Sequence, residues 1–347
     1  MSAPPRGFAL AACLSEYQLP DRAQVAQIRA ALARAARCIL FIDWGWQAPS
    51  PAHPFDRETR ARMLGESLPQ DERERVSFVP VRQHYDPART LEAVATGVRQ
   101  AIAGAQERVA WHLPDALREE ALDAPLPGEV DWQEDDSRTG ERLDALYAAA
   151  DPAATLVALQ EQLAPATVAQ LHEWIASPAF DQLRGEWRKM AGEKQAWSVA
   201  PYPVVLVTVD AVVLAGDHVL LVRRGRSPGR GLQALPGGFL DPRETVLQAA
   251  VRELLEETGL PFTPRELVRR LGEVKVFDHP QRSQRGRIVT HAHRFDLGVS
   301  SPPPVQGGDD AAAAHWIPVA QLVAMETQFH DDHFHILDSF LGLTGDA

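Results

Sequence analysis

The sequence predicts two regions, classed as α/β and α+β: a parallel α/β domain followed by a sandwich with a mixed sheet. Between Phe8 and Leu113, apolar β-forming runs alternate with segments of helical period, which is typical of βαβ units. The run Ala200-Pro201-Tyr202-Pro203 then interrupts the chain, and strands flanking one acidic amphipathic helix follow it. We therefore expect domains at 1–198 and 199–347.

In the first region, apolar runs predict four short strands. Asp21 precedes a segment of helical period and is a candidate N-cap. The Pro-rich, acidic segment 115–136 predicts a loop, and 137–196 predicts helices broken before Pro152, Pro165 and Pro178. The predicted strands are 8–14, 38–43, 76–81 and 109–113, and the helices between them are 21–37 and 88–104.

The second region opens with two strongly β-forming runs separated by Ala215-Gly216-Asp217, which predicts a hairpin. Three more strands and a final helix follow, with the acidic helix between the first two of these strands. The predicted strands are 204–214, 218–224, 235–240, 267–277 and 287–296, and the final helix is 333–341.

The bulk composition excludes several classes of function. The chain has 347 residues and a net charge of -12, which argues against a nucleic-acid backbone as the main partner. We see neither a signal-peptide pattern at the start nor an apolar run of the roughly 18–20 residues that a membrane span needs. A cytoplasmic protein with no membrane partner is therefore expected. Cys13 and Cys38 lie in apolar runs and are expected to be core residues rather than a disulfide.

The most informative segment runs from residue 238 to 260 and contains three glutamates close together, Glu253, Glu256 and Glu257. At about 100° per residue they project from one arc of a helix whose other side is apolar. Clustered carboxylates repel one another, and a hard divalent cation such as Mg²⁺ or Mn²⁺ relieves that repulsion. A solvated acidic face is the alternative interpretation.

The residues around these glutamates form a longer pattern. It resembles the Nudix box, with every fixed position filled: Gly238, Glu244, Arg252, Glu253, Leu254, Glu256, Glu257, Gly259 and Leu260. The resemblance implies a Nudix fold in which a loop–helix–loop holds metal against a diphosphate linked to a nucleoside. It assigns the metal to Glu253, Glu256 and Glu257 together with Gly238. Arg252 is expected to orient the carboxylates and to pair with Glu244.

Flanking segments narrow the substrate. The runs 200–203, 207–213, 234–239, 276–280, 282–287 and 290–291 resemble the Nudix domain of bifunctional nicotinamide mononucleotide adenylyltransferase/Nudix proteins. That resemblance implies a small nucleotide substrate, ADP-ribose, cleaved to AMP and ribose 5-phosphate, and a homodimer. NADH, diadenosine polyphosphates and flavin dinucleotide stay open as alternative substrates.

A basic stretch offers candidate substrate contacts. Arg282, Arg285 and Arg287 lie close to Phe277 in the sequence. Guanidinium groups bind phosphates in bidentate fashion, and Phe277 is a candidate to stack on a purine. A solvent-exposed basic hairpin is the alternative.

A water-activating group is expected outside the box. Asp309 and Asp310 are the candidates, because the resemblance implies acidic residues in a loop at this point, and Gly307 and Gly308 are expected to let that loop move. The alternatives are an ordinary Gly-Asp turn, or a base among the box glutamates.

Two other motifs carry less weight. The histidines at 291, 293, 330, 333 and 335 lack the cysteines or helical spacing of a zinc site, so a structural role is favoured. The segment 225–231 contains glycine and arginine but no P-loop Lys-Ser/Thr, so we expect a loop near the site.

The first region resembles an adenylyltransferase that has lost its signature. Tyr17-Gln18 fits that family's Phe-Gln pair, but Asp21 and Gln24 stand where its two phosphate-contacting histidines belong, and Glu16 replaces an arginine. The element Ser137-x-Thr139-x-x-Arg142 matches the family's phosphate element. We expect a nucleotidyltransferase-like fold without transfer activity. A non-catalytic ADP-ribose sensor and a truly bifunctional enzyme are the competing hypotheses.

Overall fold

The computed structural model describes residues 7–82, 84–102, 108–123, 126, 128–133 and 138–345. The chain divides into two compact units, Met1–Arg184 and Gly185–Ala347. This division falls inside one helix, Pro178–Trp197, whereas the sequence suggested a boundary just after it. Among the described residues, no helix combines the length and the apolar character that crossing a bilayer requires.

The first unit is built on a five-stranded sheet in which every described pairing is parallel. The strand order is β3-β2-β1-β4-β5, so the chain runs outward in one direction, then returns to the middle and runs outward in the other. The predicted parallel α/β fold is confirmed. The strands are β1 Phe8–Ser15, β2 Ala35–Ile42, β3 Val76–Pro80, β4 Val109–Pro114 and β5 Glu129–Gln133.

Helices connect these strands and then continue the unit. Four of them begin with proline, which suits the first helical turn because its N–H is not needed there. The predicted breaks before Pro152, Pro165 and Pro178 are confirmed. The helices are α1 Arg22–Arg34, α2 Arg57–Glu66, α3 Gln70–Arg73, α4 Pro87–Ala101, α5 Arg118–Asp123, α6 Thr139–Ala148, α7 Pro152–Leu159, α8 Pro165–Ile175 and α9 Pro178–Trp197.

Three expectations for this unit need correction. The helix after Asp21 ends at Arg34, because Ala35 already pairs with Phe8 in the sheet and tertiary pairing overrides alanine's helix preference. The predicted loop 115–136 contains α5 and the edge strand β5, although residues 124, 125, 127 and 134–136 lie outside the described part. Gly104, the expected end of α4, also lies outside it, and α4 ends at Ala101.

Apolar clusters cover both faces of the first sheet. Neighbouring β1 residues Ala11 and Ala12 belong to different clusters, because successive strand residues face opposite sides. Cys13 and Cys38 are buried, unbonded thiols with their sulfur atoms 3.8 Å apart, which confirms the prediction of core cysteines.

The second unit is built on a seven-stranded mixed sheet of order β10-β11-β6-β7-β12, with β8 beside β7 and β9 beside β6. The β6–β11 pair is parallel and the other pairs are antiparallel. Gly216 takes a φ of 58° in the predicted hairpin turn. The strands are β6 Leu206–Ala215, β7 His218–Arg224, β8 Gln233–Ala234, β9 Gly237–Phe239, β10 Leu271–Phe277, β11 Ile288–Asp296 and β12 Ala311–Pro318.

Helices cover this sheet on both faces. Val213 packs in one cluster with α10 (Val246–Thr258) and α11 (Pro264–Val268), whereas its neighbour Val212 packs in another with α12 (His333–Leu341). Because alternate residues of a strand face opposite sides, α10 and α12 lie on opposite faces. The predicted α/β sandwich with a mixed sheet is confirmed. The predicted final helix matches α12, but β12 was missed.

Candidate active site

The acidic helix α10 has a defined start and stop. Gln248 N donates to the Thr245 hydroxyl (3.3 Å), and Thr245 N donates to the Gln248 side chain (2.8 Å), which forms a capping box. The helix ends at Gly259, which has a φ of 56° and takes the left-handed position that favours glycine. The segment is therefore a loop–helix–loop.

The apolar side of α10 faces the sheet. Ala249, Ala250, Val251 and Leu254 are buried, and Ala249 and Ala250 pack with Val209 of β6. This is the apolar face that the sequence predicted, with Leu247 and Leu255 at its margin. The glutamates therefore lie along the other side, where they border a cleft.

Arg252 holds the acidic residues together. Its guanidinium donates to both Glu244 oxygens, at 2.5 and 3.0 Å, which confirms the predicted tie between loop and helix. Its Nη1 also donates to Glu253 (2.8 Å) and Glu256 (3.1 Å). One cation thus orients three carboxylates, as the sequence predicted.

Two glycines let strand β9 lie against these carboxylates. The Gly237 N–H donates to Glu257 Oε2 at 2.9 Å. A side chain at Gly238 would meet the carboxylate of Glu253, with its Cβ only 2.6 Å from the Glu253 Cδ. Glycine at 238 therefore leaves the space that the Glu253 carboxylate occupies beside the strand.

The three glutamates differ in environment. Glu257 is 7% exposed, and burial raises its pKa to about 8, with a further rise from the charge of Glu253. Burial also raises the pKa of Glu253, although Arg252 opposes this. The Glu256 side chain is 49% exposed and is not among the cleft-lining residues. The structure thus brings Glu253 and Glu257 into the cleft and leaves Glu256 at its edge.

The cleft beside these glutamates has a volume of about 360 Å³ and a wall that carries both signs of charge. Basic side chains on it come from α9, from β7 and its following loop, and from the segment before β11. The charged residues lining it are Lys189, Asp210, Arg224, Arg226, Asp241, Arg252, Glu253, Glu257, Arg282, Arg285, Asp309, Asp310, Asp331 and Asp332.

Asp309 and Asp310 line the cleft on a loop that is tied to the end of α10. Gly308 N donates to the Glu257 carbonyl at 3.1 Å, and a side chain at Gly308 would collide with the Glu256 carbonyl. In the structure this glycine thus serves close packing of the loop, while loop movement stays a prediction. Asp310 pairs with Arg226 at 2.5 Å, whereas the Asp309 carboxylate has no hydrogen bond among the described residues.

The four predicted substrate contacts fall into two groups. Arg282 and Arg285 line the cleft. Arg282 is already engaged in a bidentate pair with Asp332, at 2.8 Å for both bonds, and Arg285 pairs with Glu193 at 3.0 Å. Arg287 is not among the cleft-lining residues, and it donates to the Asp278 carbonyl.

The predicted stacking residue Phe277 also lies outside the set of cleft-lining residues. It packs with Phe340 and His335 of α12, at ring distances of 6.4 and 6.0 Å, because its side chain is on the sheet face that α12 covers. The aromatic side chain in the cleft is Phe239, and the Arg285 guanidinium lies 4.8 Å from its ring centre. Sequence reasoning quoted Phe239 only as part of the flanking pattern.

Sequence reasoning missed several cleft residues. Arg224 ends β7 and lies next to the segment 225–231, of which Arg226, Ser227 and Pro228 line the cleft, so the expected loop near the site is confirmed. Arg224 makes one side-chain hydrogen bond, to the Pro228 carbonyl (2.9 Å), and no ion pair with a described residue. His330 and His333 were considered as zinc ligands and expected to have a structural role, yet they line the cleft with Asp331.

Metal ligands are not pre-assembled in the described part of the chain, where no group of three His, Cys, Asp or Glu side chains converges as a metal site. The donor chemistry nevertheless suits a hard cation. Glu253 Oε2 and Glu257 Oε1 have no hydrogen-bond partner among the described residues, and both carboxylates are largely buried. Buried carboxylates of like charge are the groups that a divalent cation stabilises.

In the first unit, Asp21 and Gln24, which the sequence places where the signature histidines are expected, bond to other residues of the chain. Asp21 is the N-cap of α1, as predicted, and it also pairs with Arg142 at 3.1 Å, both side chains being no more than 8% exposed. Gln24 completes a capping box with Asp21. Thr139 begins α6, whereas Ser137 lies outside the described residues. The arginine of the predicted phosphate element is thus neutralised by the aspartate that stands in a histidine position.

The fold has a solved counterpart across both units. A bifunctional NMN adenylyltransferase/ADP ribose pyrophosphatase from Francisella tularensis, complexed with AMP and a manganese ion, matches with a TM-score of 0.87 and 24% identity. The match covers 96% of this chain and 99% of that chain. A second structure of the same protein gives a TM-score of 0.85. At this identity the likeness shows the fold alone.

Sequence relatives match part of the chain. An ADP-ribose pyrophosphatase of Methanocaldococcus jannaschii is 33% identical over 135 residues, which are 39% of this chain and 72% of the relative. The ADPR responsive transcriptional repressor NtrR of Acinetobacter baylyi is 30% identical over 142 residues, 39% of this chain and 53% of the repressor. Residues 205–340 match the family described as NUDIX domain. Together with the loop–helix–loop built on Glu253 and Glu257, these matches show that the chain belongs to the Nudix hydrolase family.

Proposed function

We propose that this chain hydrolyses the diphosphate of ADP-ribose to AMP and ribose 5-phosphate in a reaction that needs Mg²⁺ or Mn²⁺. The observation that carries the proposal is the placement of Glu253 and Glu257, two buried carboxylates, in one cleft with the cations of Arg224 and Arg226. A diphosphate linked to a nucleoside is negatively charged, so the arginines would bind it directly, whereas the carboxylates would bind it through the cation.

The metal would be held by Glu253 and Glu257, with Glu256 and the backbone of Gly238 completing the set. Support comes from the free oxygens of the two buried carboxylates and from the raised pKa of Glu257, which reports an uncompensated buried charge. When bound, the cation would supply positive charge that offsets the diphosphate and polarises its phosphorus.

Other residues of the cleft would orient the carboxylates and bind the substrate. Arg252 holds Glu253 and Glu256 in fixed orientations through its bonds to them and to Glu244. Arg224 lacks an ion-pair partner among the described residues and borders the cleft, so its guanidinium is free to bind a phosphate oxygen. Phe239 offers an aromatic surface in the same cleft.

The base that takes a proton from water is proposed to be Asp309. It lines the cleft, its carboxylate makes no hydrogen bond in the described part of the chain, and its neighbour Asp310 is occupied by Arg226. Asp310 and the box glutamates are the alternative bases. Variants at each of these positions would distinguish among them.

ADP-ribose is the proposed substrate because the names of two sequence relatives refer to it, one as an ADP-ribose pyrophosphatase and one as an ADPR responsive repressor. The test is a panel assay of the full chain with Mg²⁺ or Mn²⁺ against ADP-ribose, NADH, diadenosine polyphosphates and flavin dinucleotide. AMP release fastest from ADP-ribose supports the proposal. An inert ADP-ribose beside a rapidly cleaved alternative overturns the substrate choice.

For the first unit we propose a nucleotidyltransferase-like fold without transfer activity. Support comes from the Asp21–Arg142 pair, which occupies the arginine of the predicted phosphate element with an internal carboxylate. Incubation with ATP and nicotinamide mononucleotide should yield no NAD. Formation of NAD would instead establish a bifunctional enzyme.

A second candidate function is an ADP-ribose sensor that binds without turnover, favoured by the similarity to the transcriptional repressor NtrR. A combined Glu256→Gln and Glu257→Gln variant separates the two. A catalyst loses measurable hydrolysis, whereas a sensor shows no hydrolysis in the wild type and loses only metal-assisted binding.

A further inference from the structure

The cleft has a second polar surface that the proposed chemistry does not use. We name it the His–Asp wall, defined by Asp210, His330, Asp331 and His333, all of which line the cleft. Backbone pairing fixes its place: His330 N donates to the Gln233 carbonyl at 2.9 Å, just before α12 begins. The wall is therefore anchored to the sheet.

The proton on His333 can be located from its partners. The Leu235 N–H donates to His333 Nδ1 at 3.0 Å, so Nδ1 must be the unprotonated nitrogen of the ring. Burial also lowers the pKa of His333, which keeps the ring neutral. Its proton consequently sits on Nε2, and that atom has no hydrogen-bond partner among the described residues. His333 thus offers a fixed N–H donor to the cleft.

His330 is the least satisfied side chain of the wall. It is 8% exposed and makes no side-chain hydrogen bond with a described residue, while its Nε2 stays 3.6 Å from Asp331 Oδ2. Gly229 makes room for the ring, since any side chain there would collide with it. Because His330 lines the cleft, a ligand or a water molecule can complete its hydrogen bonding.

Asp331 is held in an unusual backbone conformation. Its φ is 43°, a left-handed value that costs a non-glycine residue energy and that clusters at functional sites. Its neighbour Asp332 is neutralised by Arg282. The Asp331 carboxylate accepts a hydrogen bond from the Ser283 side chain and has no bidentate partner in the described part of the chain. Asp210 Oδ2 accepts a hydrogen bond from the Thr290 hydroxyl at 2.5 Å.

The charge of the wall decides what it can bind. Two carboxylates, Asp210 and Asp331, stand beside two imidazoles that are neutral at neutral pH, since burial lowers the pKa of His330 to about 3. Arg224, Arg282 and Arg285 are the cations that act on them, and all three line the cleft, although Arg282 is already paired with Asp332. Carboxylate oxygens repel phosphate, but they accept hydrogen bonds from hydroxyl groups, and a neutral N–H donates to a hydroxyl oxygen.

We infer that the His–Asp wall binds the vicinal hydroxyl groups of a ribose, with Asp331 and Asp210 accepting and His333 Nε2 donating. The inference rests on the proposed function only for the class of ligand, a nucleoside diphosphate sugar that contains two riboses. The wall is a specificity surface, and the phosphates bind elsewhere in the cleft.

A matched pair of variants at one position tests this. His333→Asn keeps an acceptor for the Leu235 N–H and deletes the donor at the Nε2 position. His333→Gln keeps a donor near Nε2 and loses the Nδ1 acceptor. Binding is measured by calorimetry on the full chain with two probe pairs: AMP against 2′-deoxy-AMP, and ribose 5-phosphate against 2-deoxyribose 5-phosphate.

In the wild type we expect about tenfold tighter binding of the ribo form in one probe pair, the effect of one buried hydrogen bond. Whichever pair shows the preference identifies which ribose the wall holds. His333→Asn should reduce that ratio to about one, whereas His333→Gln should retain most of it while melting at a lower temperature.

Two results overturn the inference: no ribo preference in either pair, or a preference that His333→Asn leaves intact. Because these are binding measurements, they stand apart from the hydrolysis assay. If the wild-type chain does not cleave ADP-ribose but its ribo preference is lost in His333→Asn, the proposed function is refuted. The inference about the His–Asp wall then still stands.

Discussion

The two units treat buried charge in opposite ways. In the first unit, Arg142 is matched by Asp21 in an ion pair that leaves both side chains almost fully covered. In the second, Glu257 is equally covered, but the neighbouring charge with the largest effect on its pKa is that of Glu253, which has the same sign. A charge paired within the chain needs no ligand, whereas an uncompensated buried carboxylate is stabilised by a cation. The comparison supports our proposals that the second unit carries the hydrolytic chemistry and that the first unit lacks transfer activity.

The largest effect should follow from neutralising the uncompensated carboxylate. Glu257→Gln retains an acceptor for the Gly237 N–H but removes the charge, so we expect kcat/KM for ADP-ribose to fall by about 10³-fold. Unfolding experiments should show equal or greater stability, because a buried charge is lost. Glu273→Gln, on β10 outside the cleft-lining set, is the matched control and should retain activity.

Breaking the internal pair of the first unit should act on stability instead. Asp21→Asn keeps the N-cap acceptor for Gln24 N but removes the carboxylate charge that pairs with buried Arg142, at a cost of about 3 kcal/mol in the free energy of unfolding. A variant that changes both Asp21→Asn and Arg142→Gln should recover part of that loss. Equal losses in the single and double variants would contradict the pairing.

A smaller loss of activity is expected when Arg252 is released from its loop. Glu244→Gln removes the charged partner at 2.5 Å but keeps Glu253 and Glu257, the proposed metal ligands. We expect kcat to fall by about tenfold to 100-fold, as for other residues that support metal ligands. As a positioning residue, Glu244 should also affect Mn²⁺ affinity, which calorimetry can measure. Unchanged Mn²⁺ affinity and unchanged kcat would rule the role out.

In the first unit, burial favours the protonated form of the Asp43 carboxyl group. Burial raises the pKa of Asp43 to about 7, well above its unfolded value of about 3.9. The folded state therefore holds more protons between these values, and this group's contribution to stability falls as pH rises from about 4 through 7. Asp43→Asn should flatten that decline by a few degrees in melting temperature between pH 5 and 8. A parallel decline in the variant would contradict the assignment.

The smallest effect separates the substrate contacts predicted from the sequence from the residues that line the cleft in the structure. Arg287→Ala should change KM for ADP-ribose by less than about twofold, because Arg287 lies outside the cleft lining and bonds a backbone carbonyl. Phe239→Leu should raise KM by about tenfold through loss of an aromatic contact. A large KM effect at Arg287 together with none at Phe239 would reverse this assignment.

Most elements of the fold could be predicted from local sequence patterns. The hairpin at Gly216, the helix His333–Leu341 and the proline-started helices of the first unit were all predictable, because each depends on turn, cap or periodicity signals within a few residues. Strands β2 and β12 were harder, since Ala35-Ala36 and the alanine run at 311–314 favour helix locally. Only pairing with β1 and β7 makes them strands.

The site was predictable where its residues are contiguous and unpredictable where they are not. Glu253, Glu257 and Arg252 share one helix, so helical periodicity was enough to group them. Arg224, Phe239 and His333 come from three other elements and meet only in the folded sheet. Phe277 was misassigned for the same reason, because nothing local shows that α12 covers its face of the sheet.

The most direct test of the cation-dependent cleavage is AMP release from ADP-ribose by the full chain as divalent metal is removed and restored. We predict one AMP for each ribose 5-phosphate, cessation with EDTA, recovery on adding excess Mg²⁺ or Mn²⁺, and no recovery in Glu257→Gln. Hydrolysis that continues in EDTA, or that Glu257→Gln carries out at the wild-type rate, would contradict the account.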